Sequence, residues 1–587
     1  MAEVRLVTLV QLVRDALAGP DRPLLHERDS GGNWTALGTT EVLARVTAIA
    51  AALRERGLAP GDRVALMSPN RVDWILANLG ILFAGGVTVP IYATQALDQV
   101  RYILDDSGAR ALFVDSPDLA GRLRDASIAL APIVFDAAAR APDSLAALIA
   151  AGRADAAHLP AVEPGDLAAL IYTSGTTGRP KGVMLTHGNI ASNAHAAFDL
   201  IADVIRPNDP VLSVLPFAHI YENTNVFGYL LRGAAVYINR KIEALLDDLR
   251  AVRPVIVFVV PRIFERTYAG IIAKSRAAGG LKAKLVPWAL FAGRTYKRAQ
   301  LEGKTVTALV RLQFALAHAL VLSKLRAQLG CDRLRYFVSG SAALHLDIAL
   351  SFEAADMPIM EGYGLTECSP VVTVNRPGEA RLGTVGRPIP GVEVRLADDG
   401  EILVRGPNVM QGYYHLPEDT AATIQDGWLA TGDVGILDTE GYLRIVDRKK
   451  EIFKTSGGKY VSPSRVEAAV GRSPFVAQAV VFGDGRPHPA ALISPNWIAV
   501  RSRMNFAAEV PAAELAARDD VRRFICAECA RRTADLATSE QIRWAGVLPR
   551  DLTIEDGELT PTLKVKRRVV EARFGALVIE FGASTPP

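Results

Sequence analysis

Six short apolar runs, each ending in a turn residue, recur along the first 340 residues: 63-RVALMS-68, 111-ALFVD-115, 167-LAALIYTS-174, 211-VLSVLP-216, 255-VIVFVVP-261 and 335-RYFVSG-340. Their lengths suit strands covered on both faces. Alanine-rich stretches of helical spacing lie between many of them, as in 41-EVLARVTAIAAALRERG-57. A buried strand followed by a covering helix, repeated, admits few architectures. The reading is an α/β class with largely parallel sheets.

The texture changes after about residue 380. The segment 392-VEVRLADDGEILVRG-406 reads as strand, tight turn, strand, and 434-VGILDTEGYLRIVD-447 repeats the pattern. Such alternation marks hairpins, so a small antiparallel β unit is expected to end a large domain. The run 447-DRKKE-451 then reads as a joint. A chain of 587 residues is too long for one core. The expected organisation is a large multi-subdomain N-terminal domain over residues 1–447, with two α/β sheets plus the antiparallel unit. A small α+β C-terminal domain follows over 448–587.

Composition narrows the function classes. A formal charge of +3 gives the whole molecule little pull on nucleic acid, and no nucleic-acid partner is expected. Four cysteines in so long a chain fit a reducing compartment, and the pair in 524-FICAECARR-532 reads as two helical residues rather than a zinc site. The N-terminal stretch reads as an amphipathic helix, because Glu3, Arg5, Arg14 and Asp15 interrupt it. No stretch reads as a membrane span, so the chain is expected in the cytoplasm, free or peripheral on the inner face of the membrane.

The most particular segment is 171-IYTSGTTGRPKGVMLTHGN-189. Four hydroxyl residues, glycines and Lys181 crowd one loop. It is not a Walker A motif, because Lys181 is followed by glycine and a short strand before a helix capped near Thr186. The physics is related all the same. Glycines allow close backbone approach, and successive amides with hydroxyls and a lysine make an anion-binding concavity. The inferred ligand is a polyphosphate.

This loop resembles the phosphate-loop signature of the acyl-adenylate-forming (AMP-binding) enzymes, which include acyl-CoA synthetases, luciferases and peptide-synthetase adenylation domains. Further segments match in the expected order: 216-PFAH-219, 339-SGSAAL-344, 361-EGYGLTE-367, 431-TGD-433, 447-DRKKEIFKTSGGKYVSP-463 and 559-LTPTLKVKRR-568. The resemblance implies a nucleotide and phosphate site built from Thr173, Ser174, Gly175, Thr176, Thr177, Gly178 and Lys181. Gly340, Ser341 and Ala342 match the small-residue wall beside the base. In the stretch Glu361, Gly362, Tyr363, Gly364, the tyrosine matches the aromatic that stacks on adenine. Thr366 matches a phosphate-contacting hydroxyl and Glu367 a magnesium ligand, a sensible pairing since a hard cation takes a carboxylate plus phosphate oxygens. Asp433 matches the acid that holds the ribose, with Arg448 beside it. His219 matches a histidine near the carboxylate pocket.

The implied substrates are ATP and CoA, with Mg²⁺ as cofactor. A carboxylate attacks the α-phosphate, pyrophosphate leaves, and an acyl-adenylate results. Lys564 aligns best with the family's C-terminal catalytic lysine, and Lys566 is the alternative. A thiol then attacks the anhydride after the C-terminal domain, mobile in similar enzymes, has swung about a hinge that here is Lys450. Ser456, Gly457, Gly458 and Lys459 would then face the thiol channel.

The acid is suggested by residues 266–330. This segment reads as helical and carries twelve Lys or Arg against one acid, Glu302, with Trp288, Phe291, Tyr296 and Phe314. An insertion of this sort resembles the long-chain fatty acyl-CoA synthetase branch. Basic helices with aromatics also suit an anionic membrane surface, or else form a solvated basic face. The expected function is ATP-dependent activation of a long-chain fatty acid and its transfer to CoA. The alternatives are a fatty-acyl-AMP ligase loading a carrier protein, a non-catalytic lipid- or ATP-binding scaffold, and a luciferase-type oxidation of the adenylate.

Overall fold

A computed structural model describes residues 6–136, 141–152, 159–173, 179–553, 556–560 and 565–582. All six apolar runs form strands, and 41–57 falls on the helix Thr39–Glu55. The chain divides into two compact units.

The first unit comprises Met1–Arg395, Leu403–Thr431 and Leu437–Arg444. It contains two large sheets. One has seven strands in the order Gly412–Tyr413, Lys181–Thr186, Leu167–Thr173, Val87–Ile91, Arg63–Met67, Ala111–Val114 and Pro132–Val134. The last five are parallel and the first two antiparallel. The other sheet has nine strands: Arg387–Pro388, Val371–Val374, Ile359–Gly364, Tyr336–Ser339, Ile256–Val259, Pro210–Ser213, Ala235–Ile238, Pro23–Arg28 and Trp34–Gly38. Its middle is parallel, and antiparallel strands close both ends. Central strands such as Val87–Ile91 and Ile256–Val259 are buried at every residue, which is why they read as unbroken apolar runs rather than alternating ones.

Helices cover these sheets. The N-terminal helix Leu9–Leu17 is capped by Thr8 and buries Leu9, Leu12, Val13 and Leu17, so its amphipathic pattern serves packing within the protein. The helix His187–Asp199 starts in a capping box, with the Thr186 hydroxyl accepting from the Asn189 N–H and the Asn189 side chain accepting in return.

The segment 266–330 is helical throughout its core, as Pro261–Ala277, Gly280–Leu301, Ala308–Ala317, a π-helical turn His318–Leu322 and Ser323–Gln328. Trp288 and Phe314 do not stand out into solvent. They pack on the core, and Phe314 stacks on Tyr296 at 4.1 Å. The exposed apolar groups are instead mainly leucines, Leu309, Leu312, Leu316 and Leu320, joined by Leu281, Leu301 and Phe291. The run Ala308–Gln328 is long and apolar enough by composition to cross a membrane, with charges near its ends at Arg311, Lys324 and Arg326. One side of it, Ala317, Val321, Leu322 and Leu325, is buried in the core.

The second unit comprises Leu396–Ile402, Gly432–Ile436 and Ile445–Pro587. The expected hairpins are present, Glu393–Leu396 with Glu401–Arg405, and Trp428–Leu437 with Leu443–Arg448, each of their strands being divided between the two units. A three-stranded sheet follows, Val476–Phe482, Ala490–Pro495 and Trp544–Val547. The helix Asp519–Thr533 packs on it and buries both Cys526 and Cys529.

Glu558 anchors this unit's C-terminal end. Its fully buried carboxylate accepts two 2.7 Å bonds, from Arg550 and Arg573, and one of 3.0 Å from the Thr553 N–H. Burial alone would raise its pKa, but these donors outweigh it and hold the carboxyl at about 2. A folded pKa below the ordinary carboxylate value stabilises above that value and ceases to as pH falls through the folded pKa. Glu558→Gln is therefore expected to cost about 1.5–3 kcal/mol at pH 7. The difference from wild type should shrink between about pH 4.5 and pH 2, read from denaturant unfolding of the intact chain at several pH values.

Candidate active site

The phosphate-loop candidate hangs between antiparallel neighbours. Leu167–Thr173 leads into it and Lys181–Thr186 leads out, with Thr173 paired to Lys181. Ser174, Gly175, Thr176, Thr177 and Gly178 lie outside the described residues. Both ends of the loop are fixed. The Tyr172 hydroxyl donates to Asp106 at 2.5 Å. The Lys181 ammonium lies 3.0 Å from the Asp419 carboxylate and 5.0 Å from the centre of the Tyr413 ring.

Tyr413 sits on the strand Gly412–Tyr413, hydrogen-bonded alongside Lys181–Thr186. Its hydroxyl donates to Glu367 Oε1 at 3.0 Å. Burial, then the neighbouring Glu367 charge, push the phenol far above its ordinary pKa, so it keeps its proton and donates. Lys181, paired to Thr173 across the strands, thus meets Glu367 through Tyr413 and is also held by Asp419, two residues the sequence did not single out.

Glu367 lies on the turn Thr366–Cys368, which follows the strand Ile359–Gly364. That strand pairs antiparallel with Val371–Val374, placing Gly362 against Val374 and Tyr363 against Thr373. A Cβ at Gly364 would come within 2.0 Å of the Pro370 carbonyl oxygen, so only glycine lets the two strands close here. Asn193 and Asn408 donate to the carbonyls of Val371 and Cys368, and the Met410 N–H donates to that of Glu367. The turn that presents Glu367 is therefore bonded on three sides.

Glu361 is buried, and its carboxylate accepts from the Gly383 N–H at 2.9 Å. Burial dominates and pushes it up to about 7. Ser339 pairs with Glu361 across parallel strands, so Gly340, Ser341 and Ala342 leave the sheet beside Glu361–Gly364. Carboxyl ends of adjacent parallel strands are where open α/β sheets bind ligands. Nearest to Gly340 is Tyr221, its ring lying 3.0 Å from where a Cβ would be, and Ser341 adopts a left-handed φ of 70°.

His219 has a structural task. It is the N-cap of the helix Ile220–Leu231, and its Nδ1 accepts from the Tyr221 N–H at 3.1 Å. One turn on, Glu222 is fully buried, bonded to Ser213, Asn225 and Tyr229, and pushed by burial up to about 7. An acid inside the amide-rich segment IYENTNVF was the available signal for it.

In the second unit Arg448 Nε lies 3.5 Å from Asp433, whose side chain is nearly buried. Asp447 receives bonds from Ser464 N and Oγ and from Ser462, while Lys449 bridges Asp399 and Glu401. Lys450 is exposed between these anchors. Ser456, Gly457, Gly458 and Lys459 form the exposed tip of the hairpin Phe453–Lys454 with Tyr460–Val461, closed by the Thr455 N–H donating to the Lys459 carbonyl. Lys564 lies outside the described residues. Lys566 lies just before the helix Arg567–Gly582, its N–H donating to the Glu558 carbonyl.

The donors fit a hard cation carried largely by its substrate. Among the described residues no cluster of three His, Cys, Asp or Glu side chains exists, and Glu367 offers one oriented carboxylate. Magnesium is commonly bound in this way, by one or two carboxylates plus phosphate oxygens.

Comparison with known proteins agrees. Residues 12–414 match the AMP-binding enzyme family, and 450–517 the AMP-binding enzyme C-terminal domain. The chain is 36% identical over 568 residues to the long-chain-fatty-acid–CoA ligase FadD15 of Mycobacterium tuberculosis, covering 94% of this chain and 93% of that protein. It is 31% identical to the human long-chain-fatty-acid–CoA ligase 1, covering 93% and 82%. In fold it is similar to the adenylation domain of a carboxylate reductase from Mycobacterium chelonae, with a TM-score of 0.78, 22% identity and coverage of 98% and 91%. Its α/β fold, with a large N-terminal domain of sheets and a small C-terminal domain, is the one these adenylation enzymes have. The phosphate-loop strand pair, the bonded turn at Glu367 and matches across both parts of the chain make this protein a member of the AMP-binding enzyme family.

Proposed function

We propose that the protein joins a long-chain fatty acid to CoA, with ATP consumed and AMP and pyrophosphate released. The observation that carries this is similarity along nearly the whole chain to relatives named as long-chain-fatty-acid–CoA ligases, together with the Lys181–Tyr413–Glu367 constellation. Neither the carrier-protein ligase nor the scaffold reading is favoured by these relatives.

In the first half-reaction the fatty carboxylate attacks the α-phosphorus, the bond to the β-phosphate breaks, and pyrophosphate leaves. Anionic oxygens repel the incoming carboxylate, so the site must supply positive charge and donors. Lys181 supplies charge at the phosphate loop. The family resemblance assigns the base to Tyr363 and the wall Gly340–Ala342, and the ribose to Asp433 with Arg448. Glu367 would hold Mg²⁺, which when bound neutralises phosphate charge and orients the polyphosphate. In the second half-reaction the CoA thiolate attacks the acyl carbonyl, and AMP leaves with the electron pair of the broken anhydride bond. The hairpin tip Ser456–Lys459 offers a smooth, glycine-lined surface to a thin pantetheine arm. The decisive assay offers C2 to C24 acids with CoA or a carrier protein. Thioester formation should peak at long acids and require CoA, and preference for carrier protein would move the assignment to the other ligase class.

The proposed partner surface is an anionic membrane leaflet, which places the protein at the inner face of the membrane as a peripheral enzyme. Leu309, Leu312, Leu316 and Leu320 recur every three or four residues and form one exposed stripe. The opposite side of the same run is packed into the core, so the helix would lie along the surface rather than cross it. Twelve basic residues against one acid in 266–330 supply the attraction to anionic lipid. Flotation with anionic vesicles should fall as salt rises, and Leu312→Asp with Leu316→Asp should abolish it at any salt. Equal behaviour of neutral and anionic vesicles would leave only a solvated basic face.

A further inference from the structure

We propose that Tyr413 is a positioning residue for the polyphosphate, its hydroxyl aiming the Glu367 carboxylate and its ring face carrying the Lys181 ammonium. This rests on the reading that Lys181 meets phosphate and Glu367 the metal.

Three observations carry it. The hydroxyl is 3.0 Å from Glu367 Oε1 and the ring centre 5.0 Å from Lys181 Nζ, so one side chain touches both charges. A carboxylate oxygen that accepts from a fixed phenol leaves its other oxygen at a defined angle. A cation over a ring face is attracted by the ring quadrupole, an attraction that persists when a carboxylate counter-charge such as Asp419 is exchanged for phosphate.

Second, Tyr413 is itself held. Its N–H donates to Thr420 Oγ1 at 2.9 Å, and Thr420 Oγ1 donates to the Leu416 carbonyl at 2.8 Å. A Cβ at Gly412 would come 2.5 Å from the Thr420 methyl, so this strand end and the helix Pro417–Thr423 fit closely. The neighbouring N–H groups of Gln411 and Tyr414 donate to the Met184 and Gly182 carbonyls. The strand carrying Tyr413 is thus fastened to the strand that opens with Lys181.

Third, the carboxylate that pairs with the ammonium, Asp419, is half-exposed. A pair so open to water is weak, and a polyphosphate carrying several charges would replace it. The ring would stay in place through that exchange, keeping Lys181 against the Tyr413 face whether the site is empty or filled.

The test separates the two arms of the tyrosine. Tyr413→Phe removes the hydroxyl and keeps the ring, and Tyr413→Leu removes both. Calorimetry on the full chain reads two quantities: the Mg²⁺ concentration giving half-maximal ATP binding, and the affinity for inorganic pyrophosphate in EDTA. The Phe variant should need several-fold more Mg²⁺ while binding metal-free pyrophosphate as wild type does. The Leu variant should show the same Mg²⁺ shift and, in addition, several-fold weaker pyrophosphate binding. Glu367→Gln and Lys181→Gln are the reference variants, expected to move the Mg²⁺ requirement and the pyrophosphate affinity respectively. If neither reference moves, the reading of the site fails. If they move but the Phe variant keeps the wild-type Mg²⁺ requirement, or loses both quantities together, the positioning role of Tyr413 is overturned. Circular dichroism of each variant checks folding, and should the Leu variant not fold, the split in the Phe variant alone decides.

Discussion

Alanine at position 564 is expected to slow acyl-adenylate formation about 10²–10³-fold, while thioester formation from supplied acyl-adenylate stays near the wild-type rate. The attacking carboxylate and the α-phosphate are both anionic, and their repulsion peaks as they meet. An ammonium between them is worth more in that transition state than in the ground state, so its loss falls on the rate and little on ATP binding. In the second half-reaction the nucleophile is a thiolate and the leaving group is AMP, a different charge distribution at a different bond. Lys566→Ala measured beside it distinguishes the two lysines, since only the true partner should show the split. Equal loss of both half-reactions in the Lys564 variant would make that lysine simply structural.

Proline at position 450 is expected to give the opposite split: near-normal acyl-adenylate formation and a fall of about 10²-fold or more in CoA transfer. The ring fixes φ at 450 and restricts Lys449 before it, so any backbone rotation there is stopped in whichever conformation it allows. A misplacement of even an ångström at the reacting atoms costs about 10²-fold. The structure favours a clean experiment. The backbone bonds around this residue use the N–H groups of Lys449, Glu451 and Ile452, and the side chain is exposed. Proline therefore takes away none of those donors, while its restriction of Lys449 acts on the turn closed by the Arg448 carbonyl. Each half-reaction is assayed separately, and a variant that loses adenylation as well rules out a pivot at this residue.

The strands were legible because burial on both faces leaves an uninterrupted apolar run, as at Ile256–Val259 and Leu167–Thr173. The phosphate loop was legible because glycines, hydroxyls and a lysine have no use in a core. Tyr413 and Asp419 were not, because nothing in QGYYHLPED marks a tyrosine that will meet Glu367 from 46 residues away in sequence. Glu222 was passed over for a related reason: its three partners are assembled only once Ser213 and the helix Ile220–Leu231 pack together. In 266–330 the charge was readable and the apolar face was not. Aromatics such as Trp288 and Phe314 went to the core, and leucines at helical spacing were left outside. Composition counts residues, but which side of a helix is free depends on what packs against the other.

The backbone passes between the two compact units at five junctions, 395/396, 402/403, 431/432, 436/437 and 444/445. As a linkage, turning the whole second unit as one piece would require all five strands of chain to yield at once. The hinge proposed at Lys450 lies beyond the last of these junctions in the chain, so on that proposal one bond vector would carry only the residues after it, leaving out the segments 396–402 and 432–436. Asp433 and Arg448, 3.5 Å apart, both precede residue 450 in the chain. On that proposal the piece that swings need not be the piece that packs, and the ribose contact proposed for Asp433 and Arg448 would outlast the exchange of catalytic partners. An intermediate as water-sensitive as an acyl-adenylate could then be handed to the thiol without its nucleotide end ever being released.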